Sequence, residues 1–96
     1  MKVRPSKDLM AFLKTLAPDQ RQLIRRALHL VEQGRSSPQN LHEPLERFYK
    51  IKAGKFRVIC AIESNTVFAL TAERRSVIYQ VATMELLENI LGRKRN

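Results

Sequence analysis

The sequence predicts an α+β fold. A small antiparallel sheet of three to four strands carries an N-terminal αα-hairpin on one face and a C-terminal helix beside it. Three observations carry this expectation. Apolar residues recur at helical spacing from Leu9 to Val31. Runs alternating in polarity, or almost wholly apolar, follow between 45 and 72 and are joined by very short turns. A leucine-rich segment that ends near Gly92 then returns to helical spacing. With 96 residues and 44% hydrophobic content, the chain is long enough for one domain, 1–96, with its own core.

The elements follow in order. Lys2 to Arg4 reads as a short edge strand stopped by Pro5. Ser6 is a natural N-cap for a first helix, whose stripe is Leu9, Phe12, Leu13 and Leu16. Pro18 suits the first turn of a second helix, striped by Leu23, Ile24, Ala27, Leu28 and Val31. Gly34 is its stop. Residues 34–44 read as a loop. Three strands are expected at Leu45 to Ala53, Lys55 to Glu63 and Thr66 to Ala72. The joints Ala53-Gly54 and Ser64-Asn65 are short enough for hairpins, so the pairing is expected to be antiparallel. Ser76 to Leu91 is expected to end as a helix, while Val77 to Val81 is β-branched enough to allow a short strand. Residues 93–96 read as a frayed basic tail.

Lys plus Arg number 18 against 9 Asp plus Glu, a net charge of +9 that points to an anionic partner. The single cysteine, Cys60, excludes an internal disulfide and fits a reducing compartment. No apolar run approaches the roughly 20 residues of a membrane span, and the basic N-terminus lacks a signal-peptide core, so a cytoplasmic protein is expected. There is no Cys-x-x-Cys, no phosphate-cradling glycine loop and no metal-ligand cluster, and no cofactor is expected.

The chemistry-bearing stretch is Tyr49-Lys50-Ile51-Lys52 followed by Arg57. On a strand, Lys50 and Lys52 share one face, and the Gly54 turn returns Lys55 and Arg57 alongside. Such a face is either a solvated basic surface guarding a sheet edge or a site for a phosphodiester. Crowded cations lower a lysine pKa towards that of a usable base, whereas bound phosphate acts the other way. Arg57 is either a two-oxygen phosphate clamp or half of a surface ion pair with Glu46 or Glu63. Arg74 and Arg75, just past the third strand, are either rim cations or solvated turn residues. Tyr79 either stacks on a base or fills a half-buried core position. Cys60 alternates with Val58 and Ile62, as a core thiol would. His29 and His42 fall in the second helix and the loop, away from these cations.

Taken together, Leu41-x-x-Pro44-Leu45, Tyr49-Lys50-Ile51-Lys52, Phe56-Arg57-Val58-Ile59 and Glu73-Arg74-Arg75-Ser76-Val77-Ile78-Tyr79 resemble the RelE/ParE toxin superfamily over nearly the whole chain, and its RelE branch most. The resemblance implies a toxin of a type II toxin–antitoxin system that cuts mRNA in the ribosomal A site. Cleavage would proceed without metal by 2′-hydroxyl attack, leaving a 2′,3′-cyclic phosphate and a 5′-hydroxyl. Position by position, it implies Lys50 and Lys52 as catalytic lysines, with Lys52 the base. Arg57 would stabilise the phosphate and Tyr79 orient the substrate nucleotide. Arg47, Lys55 and Arg74 would be further RNA contacts. One position departs: the branch's arginine ahead of that tyrosine corresponds to Glu73, and Arg75, or Arg74, would substitute. The implied partners are an acidic cognate antitoxin and the ribosome with mRNA in its A site. Two alternatives stay open, a ParE-like inhibitor of DNA gyrase and an inactive relative that binds RNA or antitoxin.

Overall fold

The computed structural model describes residues 1–43, 45–74 and 81–95, the last segment with its side chains over 85–92. The expected α+β architecture is present. Its elements are β1 (Lys2–Pro5), α1 (Lys7–Lys14), α2 (Pro18–Glu32), β2 (Gln39–Asn40), β3 (Tyr49–Ala53), β4 (Phe56–Glu63), β5 (Thr66–Arg74) and α3 (Val81–Arg95). The five strands form one sheet in the order β1-β5-β4-β3-β2. β3, β4 and β5 make the expected antiparallel meander, whereas β1 runs parallel to β5, so the sheet is mixed.

Local chemistry accounts for most boundaries. Ser6 caps α1, its Oγ accepting the Leu9 N–H at 3.0 Å. Pro18 opens α2. Gly34, at φ +73°, closes α2 in a Schellman pattern, with Gly34 N–H donating to the Val31 carbonyl and Arg35 N–H to that of Leu30. Ser64 and Asn65 both take positive φ, as a type I′ hairpin requires.

The sheet has apolar cover on both faces. On one, Leu9, Leu13, Ile24, Leu28 and Val31 of α1 and α2 meet Ile51, Phe56, Val58, Cys60 and Val67. On the other, Leu87, Ile90 and Leu91 of α3 meet Leu41, Leu45, Phe48, Ile59, Ala61 and Leu70. The C-terminal helix, expected beside the sheet, therefore covers part of its second face.

Four boundaries are corrected. The segment 34–44 contains the edge strand β2, paired with β3. Residues 45–48 form a turn instead of a strand: Phe48 N–H donates to the Leu45 carbonyl, and both side chains enter the second core. β5 runs on through Glu73 and Arg74. The last helix passes Gly92 without stopping and runs to Arg95. The possible strand at Val77 to Val81 falls mainly outside the described residues.

The feature that most shapes the site is a β-bulge in β5. Cys60 pairs with Ala69 but Ile59 pairs with Thr71, leaving Leu70 as the extra residue. Ser6 holds it from behind: its N–H donates to the Ala69 carbonyl at 2.8 Å and its Oγ donates to the Leu70 carbonyl. Because side chains alternate, one inserted residue reverses the face of everything beyond it.

Candidate active site

Lys50, Lys52 and Arg57 come together as the alternation of β3 and β4 requires. Tyr49, Ile51 and Ala53 point to the α1–α2 core, so Lys50 and Lys52 point to the α3 face. Ala53 pairs with Phe56 across the loop Gly54–Lys55, and this places Lys52 directly opposite Arg57. The loop has positive φ at Gly54 alone, the pattern of a II′ turn. A Cβ on Gly54 would also lie 2.9 Å from Cδ1 of Leu23 on α2.

The row continues across β4. Arg57 pairs with Glu73 of β5, so Lys52, Arg57 and Glu73 stand side by side on one face. One step along, Lys50 pairs with Ile59, and Ile59 with Thr71. Lys52 is exposed, while Lys50, Arg57 and Glu73 are half-buried. Within the row, Nε of Arg57 and Oε2 of Glu73 are buried and have no hydrogen-bond partner. Burial raises the Glu73 carboxyl above its usual range, because removal from water penalises the charged form.

The other predicted contacts lie elsewhere. Lys55 and Arg74 both turn to Phe56, with Nζ and Cζ at 5.8 and 5.4 Å from its ring centre. Phe56 belongs to the α1–α2 core, so these cations sit on the opposite side from the Lys52–Arg57–Glu73 row. For Arg74 the bulge explains this: without Leu70, Arg57 would face Ala72, and Arg74 would share its face. Arg47 is held by Glu88 of α3 at 2.6 Å and lies over the ring of Phe48. It pins the 41–48 excursion to α3. Arg75 and Tyr79 lie outside the described residues. His29 stands on α2 near Glu32, 3.9 Å away, and His42 is exposed in the turn before β3. Cys60 is a core thiol: it is fully buried, and burial pushes its pKa up to about 12.

Glu73 is the residue of this row that sequence alternation misses. Its signal was the departure from the expected arginine, and only the bulge brings it to the site face. Among the described residues no three His, Cys, Asp or Glu side chains gather as a metal site. No described helix is long and apolar enough to cross a membrane.

This arrangement of helices and strands matches solved toxin structures. A chain of the RelBE2 toxin–antitoxin complex from Mycobacterium tuberculosis aligns with TM-score 0.65 and 19% identity, over 77% of this chain and 96% of that one. The chain has the RelE toxin fold. A chain of the archaeal RelE–RelB complex from Pyrococcus horikoshii aligns with TM-score 0.56 and 17% identity, over 80% of this chain and 97% of that one. The isolated RelE toxin of E. coli aligns with TM-score 0.54 and 17% identity, over 93% and 97%. No protein-family model matches the sequence, and no curated protein sequence is similar to it.

Proposed function

We propose that this chain is the toxin of a type II toxin–antitoxin pair and inhibits translation as a ribosome-dependent mRNA endonuclease. The observation that carries the reading is the half-buried guanidinium of Arg57. Its Nε is unpartnered, and it stands in register beside Lys52 on the face that also carries Lys50. A buried donor of this kind is costly unless an acceptor visits, and a phosphate oxygen is the acceptor its planar fork fits.

In this reading the scissile phosphate sits over Arg57, and Lys52 takes the proton from the attacking 2′-hydroxyl. Lys50 and Arg57 stabilise the charge that grows on the pentacovalent phosphorus. No metal ion takes part. Arg75 and Tyr79 are assigned to the leaving-group side and the substrate nucleotide on the resemblance alone. The ribosome supplies the positioning that so spare a site lacks.

The net charge of +9 favours both RNA and an acidic antitoxin, and two of the similar structures are toxin–antitoxin complexes. A cytoplasmic setting follows from the ribosomal substrate.

The test is single-turnover cleavage of mRNA on programmed ribosomes by antitoxin-free protein. Lys52→Ala and Arg57→Ala are each expected to slow it by about 10²-fold or more with the fold intact. Near wild-type rates from either folded variant would remove that residue from the mechanism.

A further inference from the structure

We propose that Glu73 is a catalytic residue, the proton donor to the departing 5′-oxygen. The proposal rests on the endonuclease reading above and supplies the leaving-group proton, which that reading assigns to no described residue.

The argument begins with the reaction's geometry. In an in-line displacement the attacking 2′-oxygen and the departing 5′-oxygen lie on opposite sides of phosphorus. Base and acid must therefore flank the phosphate, with the cationic clamp between them. The sheet builds this order. Lys52 on β3, Arg57 on β4 and Glu73 on β5 are successive partners on one face. Neighbouring strands lie about 4.8 Å apart, so the backbones of Lys52 and Glu73 stand about 10 Å apart, with Arg57 midway. That spacing holds one phosphate between two reaching side chains.

The candidates for an acid are few. An arginine cannot lose its proton in this setting. His29 and His42 stand on α2 and in the turn before β3, outside the row. Glu73 is the only carboxyl of this row. Its Oε2 is buried with no hydrogen-bond partner although Arg57 is the neighbouring residue. A carboxyl held out of water without such bonds retains its proton more readily, the direction of the Glu73 shift. Among the described residues, the charged groups of its row are Arg57 and, beyond it, Lys52. Thr71 lies along its own strand, and β1 ends opposite Ala69 before reaching it.

The step balances. The 2′-oxygen bonds to phosphorus as its proton passes to the Lys52 amine. The P–O5′ bond breaks with its electron pair on the 5′-oxygen, which takes the Glu73 proton. The products are a 2′,3′-cyclic phosphate, a 5′-hydroxyl, a Lys52 ammonium and a Glu73 carboxylate. Proton exchange with water then resets both groups.

The experiment compares wild type and Glu73→Gln on ribosome-bound mRNA carrying either the natural 5′-oxygen or a bridging 5′-sulfur at the cut site. Sulfur departs without needing a proton. Glu73→Gln is expected to lose about 10²-fold or more on oxygen and to cut the sulfur substrate at close to the wild-type rate. The ratio of the two rates within one variant is independent of how much of it is folded. Equal losses on both substrates, or no loss on oxygen, would overturn the assignment while leaving the endonuclease reading standing. Failure of wild type to cut either substrate would overturn both.

Discussion

The central residue is Arg57. It is the midpoint of a cross-strand row, flanked by Lys52 and Glu73, and its unpartnered Nε is the observation that favours the proposed phosphate site over a general basic surface. A lysine at this position keeps the charge but not the planar fork. Arg57→Lys is therefore expected to cleave ribosome-bound mRNA about 10²-fold more slowly than wild type in single-turnover assays. Retention of full activity would mean that charge alone is needed. Lys50, Lys52 and Arg57 were legible in the sequence because a two-residue hairpin and period-2 alternation leave little freedom between them. Lys55 and Arg74 were not. Their heads fold back onto Phe56, a contact set by tertiary packing.

At the level of elements, the bulge at Leu70 decides which β5 residue meets Arg57. Alternation from Val67 and Ala69 runs unbroken in the sequence, and nothing local marks Leu70 as the inserted residue. The signal lies far away at Ser6, which caps α1 and donates to the Leu70 carbonyl. Ser6 was recognisable as a cap, but its second bond joins residues distant in the chain and leaves no pattern. Ser6→Ala removes the cap and leaves a buried carbonyl unsatisfied, so it is expected to cost about 1–3 kcal/mol in urea unfolding. A loss within a few tenths of a kcal/mol would show that the bulge holds without it. The turn at 45–48 has a similar origin. Leu45 and Phe48 both enter the second core, and that burial overrides the strand-like composition.

For the whole molecule, two cores share one sheet, and the candidate site occupies the part of the second face that α3 and the 41–48 excursion leave uncovered. The α+β class and the α1–α2 face were readable because those helices carry clear apolar stripes. The side taken by α3 was not, since a stripe states that a helix packs and not which face receives it. Cys60, in the first core, gives a global test. Its thiol is pushed up to about 12 from an ordinary 9.0. Above pH 9.0 the unfolded chain therefore loses this proton while the native state keeps it, and stability falls as pH rises towards about 12. This one group contributes about 1.4 kcal/mol per pH unit over that window. The unfolding free energy of Cys60→Ala, measured at pH 8 and pH 10, is expected to fall less than that of wild type. Equal slopes would contradict the burial of the thiol.

The central claim is that the basic row on β3 and β4 cuts mRNA on the ribosome. The most direct test maps cleavage by primer extension on programmed ribosomes, with wild type set against a Lys50→Ala, Lys52→Ala, Arg57→Ala variant. The account predicts discrete A-site cuts by wild type that disappear in a folded triple variant. No cuts from folded, antitoxin-free wild type would contradict it and turn attention to gyrase inhibition or simple binding. Cuts that persist in the triple variant would place the chemistry elsewhere on the chain.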